Sequence, residues 1–233
     1  MRTRRVAAVM AMPVAPPPPP DVHRRVARVV LIGNPNAGKT TLFNALTGLR
    51  AKTANFPGTT VSHRAGVIEA GNATVHLVDL PGMYSLQPTT PEERIASEVF
   101  LGQGAHPRRP DAAILIADAT NLERNLFLAS QILEHDIPVV LALNMMDVAK
   151  AEGLQIDVDG LSKELGCPVV PVSARYSRGL DSLIKALDEV LKDHRIRIPI
   201  IQQKVACAAC STCPLQNRYS WTEQVAERYL RSH

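Results

Sequence analysis

The residues best suited to chemistry lie in the stretch Gly33-Asn34-Pro35-Asn36-Ala37-Gly38-Lys39-Thr40, directly after an apolar, β-branched run. The pattern Gly-x-x-x-x-Gly-Lys-Thr between a strand and a helix predicts a phosphate-binding loop, because its glycines let backbone N–H groups turn toward a polyphosphate. Lys39 would reach the β- and γ-phosphates, and the Thr40 hydroxyl would hold a Mg²⁺ ion. A chance glycine-rich turn is the alternative, which the flanking strand and helix patterns disfavour.

Two further motifs follow at places where open α/β sheets bind ligands. The polar connection 50–63 contains Thr60, which we expect to meet Mg²⁺ and the γ-phosphate, with Thr59 as the alternative. Asp79 closes an apolar run, and Gly82 lies three residues later. The carboxylate would support Mg²⁺ through water while the Gly82 N–H meets the γ-phosphate. Taken alone, the second motif could equally be an ordinary Asp-Gly turn.

The sequence Asn-Met-Met-Asp at 144–147 follows an apolar strand and predicts which base is bound. The Asp147 carboxylate can accept two hydrogen bonds from guanine, whereas adenine would present an acceptor at that edge. Asn144 would brace the purine and the phosphate loop. Ser173-Ala174 follows the next strand, and the Ala174 N–H would donate to the guanine carbonyl. The motifs together predict a guanine-nucleotide site.

Alternating strand and helix patterns predict an α/β fold with a mostly parallel six-stranded sheet and helices on both faces. Apolar repeats from Leu122 to Leu133 and from Leu180 to Val190 indicate two amphipathic helices. Gly71-Asn72 predicts a hairpin turn and hence an antiparallel strand at one edge. The six predicted strands are 28–33, 64–70, 73–79, 112–118, 138–144 and 168–172.

The 233 residues suffice for one core of ordinary domain size. We expect a disordered Pro/Arg-rich tail over 1–25, a nucleotide-binding domain over 26–191, and a linker or partial helical domain over 192–233.

The charge is unevenly distributed along the chain. Residues 1–28 carry a net charge of +5, 29–191 of −5 and 192–233 of +4. The acidic body argues against a nucleic-acid partner. No apolar run approaches the roughly 18–20 residues that span a bilayer.

The run Cys207-Ala208-Ala209-Cys210-Ser211-Thr212-Cys213 has the spacing of an iron–sulfur or zinc site. Fe or Zn bound by Cys207, Cys210 and Cys213 is one interpretation, and an exposed cluster of reducible thiols is the other. A fourth ligand is not evident, although His194 and Cys167 are candidates. The scattered cysteines, without a convincing secretory signal, indicate a reducing compartment.

The segments GNPNAGKTTLFNALTG, NFPGTTV, DLPGMYSL and NMMDVAKAEGLQIDVDGLSKELGCPVVPVSA closely resemble the cytosolic G domain of the bacterial ferrous iron transport protein B (FeoB) family, over residues 28 to about 190. This resemblance implies a Ras-like P-loop GTPase with a short helical C-terminal extension, coupled to Fe²⁺ uptake at the cytoplasmic face of the inner membrane. It also implies a membrane permease domain outside this chain, and a K⁺ ion held beside the phosphates by Asn36. Met83 stands where many GTPases carry a water-orienting Gln, so we expect slow hydrolysis.

The candidate residues are therefore grouped by role. Candidate catalytic residues are Lys39, Asn36, Thr60 and Gly82; Thr40, Thr60 and Asp79 would hold Mg²⁺ and Asn36 would hold K⁺. Candidate nucleotide-binding residues are Gly33, Asn34, Pro35, Asn36, Ala37, Gly38, Lys39, Thr40, Thr41, Asn144, Met145, Asp147, Ser173, Ala174 and Arg175. A GTP-gated module with negligible turnover and an RNA- or ribosome-assembly GTPase remain the alternative functions.

Overall fold

The computed structural model describes residues 25–48, 51–56, 59–193 and 214–232. Nine strands form a seven-stranded sheet and a two-stranded sheet in this part of the chain. The strands are β1 (Arg25–Gly33), β2 (Lys52–Asn55), β3 (Ser62–Ala70), β4 (Ala73–Asp79), β5 (Ala112–Asp118), β6 (Val139–Asn144), β7 (Leu154–Ile156), β8 (Val169–Pro171) and β9 (Leu230–Ser232). The helices are α1 (Lys39–Thr47), α2 (Pro91–Leu101), α3 (Leu122–Ile132), α4 (Met146–Ala151), α5 (Val158–Leu165), α6 (Leu180–Lys192) and α7 (Pro214–Tyr229).

The main sheet has the order β2-β3-β4-β1-β5-β6-β8. Strands β4, β1, β5, β6 and β8 pair in parallel, and the β2–β3 and β3–β4 pairs are antiparallel. The hairpin expected at Gly71-Asn72 is confirmed. The sheet has seven strands rather than the six expected, because β2 adds an edge strand whose four residues are all exposed and lack an apolar pattern.

Helices cover both faces of the sheet, as expected. On one face α1 and α6 contribute Leu42, Phe43, Leu183 and Leu187 to a buried cluster. On the other face α2, α3, α5 and α7 build a second cluster, with the side chains of Phe100, Leu126, Leu161 and Trp221 among its members. The central strands β1, β5 and β6 lie between these helical layers and are buried on both faces, so their sequences are nearly continuous apolar runs.

The ends of several helices follow from local side-chain chemistry. Helix α2 begins after Thr90, whose hydroxyl accepts a hydrogen bond from the Glu93 N–H at 3.2 Å, and Pro91 occupies the first turn. Helix α5 begins after Asp157, whose carboxylate accepts from the Gly160 N–H at 2.9 Å. It ends at Gly166, whose φ of 68° allows the left-handed C-cap.

The C-terminal helix α7 packs against α3 and α5, and strand β9 then pairs antiparallel with β7. Ile156 lies opposite Leu230, and the Asp157 N–H donates to the Tyr229 carbonyl at 3.0 Å. The Tyr229 hydroxyl donates to Glu164 at 3.1 Å. The helical extension expected near the C-terminus is therefore packed onto the domain that the main sheet forms.

None of the helices within the described ranges combines the length and the hydropathy that a membrane crossing requires. The N-terminal tail up to residue 24 and the segment with Cys207, Cys210, Cys213 and His194 lie outside the described residues.

Candidate nucleotide-binding site

The phosphate-binding loop joins β1 to α1 at the carboxyl end of the sheet. Gly33 leaves no room for a side chain, because a Cβ there would lie 2.6 Å from the Ile116 carbonyl oxygen. Gly38 has a φ of 90°, and a Cβ on it would overlap the Asn144 side-chain amide. Within the described residues no side chain caps the start of α1 at Gly38. The first N–H groups of the helix can therefore face an anion.

The remaining loop residues divide into buried and exposed positions. Asn34 is buried; its side-chain amide donates to the Arg124 carbonyl at 3.3 Å, and its side-chain oxygen has no hydrogen-bond partner among the described residues. Asn36 is exposed and has a φ of 67°, a conformation that Asn tolerates better than most residues. Thr40 and Thr41 are exposed on the first turn of α1. Both candidate ion ligands in this loop, Thr40 and Asn36, are thus accessible.

Asp79 and Lys39 face a cavity of about 600 Å³ that Thr40, Thr60 and Gly82 also line. Burial raises the pKa of Asp79 to about 6, although Lys39 and Arg64 act in the opposite direction. Burial likewise lowers the pKa of Lys39, opposed by Asp79. One Asp79 carboxylate oxygen is buried without a hydrogen-bond partner among the described residues. An unpaired, buried carboxylate oxygen beside a threonine hydroxyl fits the oxygen ligands of Mg²⁺.

The two threonines of the connection before β3 have different surroundings. The Thr59 hydroxyl donates to the Phe56 carbonyl and accepts from the Val61 N–H, at 3.1 and 3.2 Å. Thr60 is exposed and lines the cavity with Lys39 and Asp79. This arrangement favours Thr60 over Thr59 as the residue that reaches the ion and the γ-phosphate.

The loop after β4 passes close to the phosphate-binding loop. The Met83 N–H donates to the Gly33 carbonyl at 3.2 Å. A Cβ on Gly82 would lie 3.1 Å from both the Lys39 Nζ and the Pro35 Cα, so a larger residue would crowd the two loops. The Met83 side chain is fully buried in the core. It therefore points away from the cavity and cannot orient a water molecule there.

Asn144 joins three of the predicted motifs. Its side-chain amide donates to the Ala37 carbonyl at 2.9 Å, and its side-chain oxygen accepts from the Ala174 N–H at 3.0 Å. The Ser173 hydroxyl donates to the Asp147 carboxylate at 2.6 Å. Asn144 therefore links the phosphate loop to the base motif. A guanine carbonyl would share the Ala174 N–H with the side-chain oxygen of Asn144 or displace that oxygen. The hydrogen bond from Ala174 to guanine therefore stays a prediction.

Two other residues of the base motifs have distinct positions. Met145 has a φ of 61°, so the turn into α4 contains a left-handed non-glycine residue. Arg175 is exposed in the 3₁₀ turn Ala174–Tyr176. Its guanidinium carbon lies 5.7 Å from the centre of the Tyr176 ring. Arg175 thus stands beside the base motif with its charge exposed to solvent.

Residues that position the loop after Gly82 were not identified from the sequence. The Glu93 carboxylate accepts from the Thr89 N–H and hydroxyl at 2.9 and 2.7 Å, and from the Tyr84 N–H at 3.4 Å. Burial opposes ionisation of Glu93, but these hydrogen bonds outweigh it and lower its pKa. The side-chain oxygen of Gln131 in α3 accepts from the Leu86 N–H at 2.7 Å. The capping pattern Thr90-Pro91-Glu92-Glu93 was the available signal for Glu93.

Metal ligation by cysteine is not supported at Cys167, which is buried in the hydrophobic core. Burial raises the pKa of its thiol to about 12, so it stays protonated. Within the described ranges, no group of three or more His, Cys, Asp or Glu side chains is arranged to hold a metal ion. The suggested Fe or Zn site at Cys207, Cys210 and Cys213 lies outside those ranges.

Comparisons with known proteins agree with this geometry. The family model described as "Ferrous iron transport protein B" matches residues 27–187. The "Fe(2+) transporter FeoB" of Salmonella typhimurium is 43% identical over 199 residues, which cover 81% of this chain and 25% of the relative. The chain thus spans about a quarter of the length of the curated relatives it matches.

Solved structures of FeoB cytosolic domains share the fold. The T. maritima FeoB cytosolic domain in its GMPPNP form has a TM-score of 0.76 at 29% identity, covering 88% of this chain and 100% of that chain. A mutant of S. thermophilus NFeoB bound to GDP has a TM-score of 0.68 at 37% identity, covering 87% of this chain and 79% of that chain.

Proposed function

The chain belongs to the ferrous iron transport protein B family, and on that premise we propose that it binds GTP and hydrolyses it slowly to GDP and phosphate. The observation that supports this best is the pair of hydrogen bonds made by Asn144. They hold the phosphate-binding loop at Ala37 and the base motif at Ala174 in one fixed arrangement. A binding site held in this way loses little conformational freedom when a nucleotide enters.

The phosphates would lie over the loop 33–40, with its backbone N–H groups and Lys39 around them. Thr40, Thr60 and Asp79 would hold Mg²⁺, and the ion would there neutralise negative charge on the phosphates. The Gly82 N–H would contact the γ-phosphate. The accessible Thr60 and the unpaired oxygen of Asp79 support these roles.

Base selection would rest on Asp147. Its carboxylate accepts from Ser173, which leaves its remaining lone pairs for the ring N–H and amine of guanine. A carboxylate at this edge meets an acceptor in adenine and rejects it, because its own acceptor atoms would then be unpaired. Guanine is therefore the base that we propose.

Hydrolysis would be slow because the residue after Gly82 supplies no polar group to the cavity. We propose that Asn36 holds a K⁺ ion beside the phosphates, which when bound offsets charge that develops during phosphoryl transfer. The exposed side chain of Asn36 supports access of such an ion. A GTP-gated binding module with negligible turnover is the second candidate, and it is favoured by the same burial of Met83.

We also propose that this G domain regulates or drives ferrous iron uptake at the cytoplasmic face of the inner membrane. The relatives that support this are named as Fe(2+) transporters and are about four times as long as the matched region. The partner would be a membrane permease domain, and no nucleic-acid partner is proposed.

GTP turnover by the purified chain in K⁺ and in Na⁺ buffers tests the proposal, with ATP as the control nucleotide. We expect slow GTP hydrolysis that K⁺ stimulates, no ATP hydrolysis, and loss of the K⁺ effect in Asn36→Ala. Asn36→Asp keeps the side-chain oxygen, so it should retain part of the stimulation. GTP binding without turnover in either salt would support the binding-module alternative instead. Absence of guanine-nucleotide binding would refute both.

A further inference from the structure

A second cavity, of about 380 Å³, lies outside the nucleotide site and is rich in basic side chains. Its lining includes Arg28, His63, His106 and Arg108, together with Phe56 from the connection between β2 and β3. Phe56 and His63 belong to the connection that carries Thr60, and His63 also lines the cavity of Lys39 and Asp79, so the two cavities adjoin. Arg28, His106 and Arg108 line only the second cavity and belong to none of the nucleotide motifs.

The two imidazoles of this cavity have unused hydrogen-bonding capacity. His106 is only 7% exposed, and its side chain forms no hydrogen bond with any described residue. The Nδ1 atom of His63 is buried, also without a partner among the described residues. Buried polar groups normally have partners, so the unpartnered Nδ1 of His63 indicates a ligand or water that supplies one.

The charges around the cavity favour an anion over a cation. Arg28 donates to the Arg108 carbonyl at 2.8 Å, so the two guanidinium groups belong to one cluster. Burial and the charge of Arg108 both lower the pKa of Arg28. Asp111 offsets one of the two charges, since it accepts from the Arg28 N–H at 2.7 Å and lies 3.7 Å from Arg108. The net charge stays positive.

We propose that this cavity is a binding site for a small oxyanion. Arg28 and Arg108 neutralise the anion, and His63 and His106 donate hydrogen bonds to its oxygens. Guanidinium groups match phosphate, sulfate and carboxylate oxygens, and each imidazole can donate once it is protonated or in the matching tautomer.

Phe56 connects this site to the predicted switch segment. Its ring stacks on His63 with centroids 4.3 Å apart and meets His106 edge-on at 5.5 Å. The Phe56 carbonyl accepts from both the N–H and the hydroxyl of Thr59, next to Thr60. An oxyanion that binds both imidazoles would therefore contact the two rings that pack against Phe56, at the start of the segment that carries Thr60.

Binding should strengthen as the pH falls. Burial, Arg28 and His106 all lower the pKa of His63, so that ring is neutral in the empty cavity near neutral pH. An anion favours the protonated rings. Arg28, Arg108 and Asp111 are the other charged groups at the cavity. Where His63 takes up a proton on binding, the affinity should fall by up to about tenfold per pH unit above neutrality.

The test uses the full chain with ¹⁵N-labelled histidine, saturated with GDP and Mg²⁺ so that the phosphate-binding loop is filled. Sodium sulfate and sodium succinate are titrated against sodium chloride at equal ionic strength, and the histidine resonances are recorded by NMR at pH 6 and pH 8. We expect two histidine resonances to shift with one common dissociation constant, more tightly at pH 6. Sulfate binding alone indicates a phosphate-like ligand, and succinate binding alone indicates a carboxylate.

Variants identify the residues involved. His106→Gln and Arg108→Gln should each weaken binding about tenfold, since each removes one charge-assisted interaction. Lys185→Gln, which removes an exposed positive charge on α6, should leave binding unchanged. Arg108 is exposed, so its variant should fold normally even if the buried His106 variant does not. Lys39→Ala without nucleotide provides a second preparation with an impaired phosphate loop, which keeps the test independent of the proposed GTP binding.

Three results would overturn the proposal. The first is the absence of saturable shifts with either anion. The second is binding that neither His106→Gln nor Arg108→Gln weakens. The third is tighter binding of Zn²⁺ or Fe²⁺ than of both anions at the same two histidines, which would make the cavity a cation site.

Discussion

Arg218 in α7 donates to both carboxylate oxygens of Glu134, at 2.8 and 3.0 Å, although the two residues lie 84 positions apart in the chain. Arg218 also donates to the Ser130 hydroxyl at 2.8 Å. Ser130 belongs to α3, the helix whose Gln131 holds the loop after Gly82. The C-terminal helix is therefore bonded to the element that supports the nucleotide site.

The buried position of Arg218 predicts a clear stability cost. Its side chain is 10% exposed, so Arg218→Met should lower the free energy of unfolding by about 2 kcal/mol, because three hydrogen bonds from its charged guanidinium are lost. Urea unfolding of the full chain measures this. Arg228→Met is the matched control on the same helix. Its side chain is 55% exposed and lies 3.4 Å from Glu164, so we expect a loss below about 1 kcal/mol. Equal losses would contradict this account.

Gly38→Ala should abolish nucleotide binding. A Cβ there requires the left-handed conformation and also overlaps the Asn144 amide that holds Ala37. Gly153→Ala is the matched control. Gly153 also has a positive φ, of 75°, but a Cβ added to it would meet no atom within 4 Å beyond its chain neighbours. This variant therefore introduces the same kind of backbone strain without the steric overlap. We expect Gly153→Ala to retain GTP affinity while losing about 1 kcal/mol of stability. Fluorescent-nucleotide titration and urea unfolding provide the two measurements.

Asp147→Asn should reverse the base preference. An asparagine amide presents a donor where guanine also donates, whereas xanthine offers a carbonyl there. We expect GTP affinity to fall roughly 100-fold and xanthosine triphosphate affinity to rise. Ser173→Ala removes the hydroxyl that orients Asp147 and should weaken GTP binding without this reversal. Unchanged GTP affinity in Asp147→Asn would place the base elsewhere.

Asp79 should make the stability of the metal-free, nucleotide-free protein depend on pH. Its pKa is raised from 3.8 to about 6, so the folded state binds a proton more tightly than the unfolded state. Stability therefore falls as the pH rises from 3.8 to about 6, and levels off above that range. Asp79→Asn should remove this fall in stability and stabilise the protein at neutral pH. Asp136→Asn, which changes an exposed carboxylate, should leave the pH dependence of stability unchanged. Urea unfolding at a series of pH values measures the difference.

Sequence reasoning located the nucleotide motifs because each one follows a strand that is apolar enough to recognise. Asp79 and Asn144 are the last residues of β4 and β6. The common edge of a parallel sheet then brings them together. The order of the motifs led to guanine as the expected base and to Thr60 as the switch residue, with Thr59 as the alternative, and both stay predictions.

Other elements carry too little local signal to be predicted. Strands β7 and β9 have three residues each and exist through pairing between distant parts of the chain. The seventh strand, β2, lacks an apolar pattern and is exposed throughout. In each case tertiary contacts, rather than local propensity, determine the structure.

The full exposure of β2 also determines how different parts of the sheet open. Its four residues bury no side chain, so detaching β2 from β3 breaks a few hydrogen bonds at little cost in apolar contact. The amides of β1, β5 and β6 lie among buried side chains and should exchange with deuterium only when the whole domain unfolds. Strand β2 can therefore leave the sheet and pair with β3 again many times during one lifetime of the folded core.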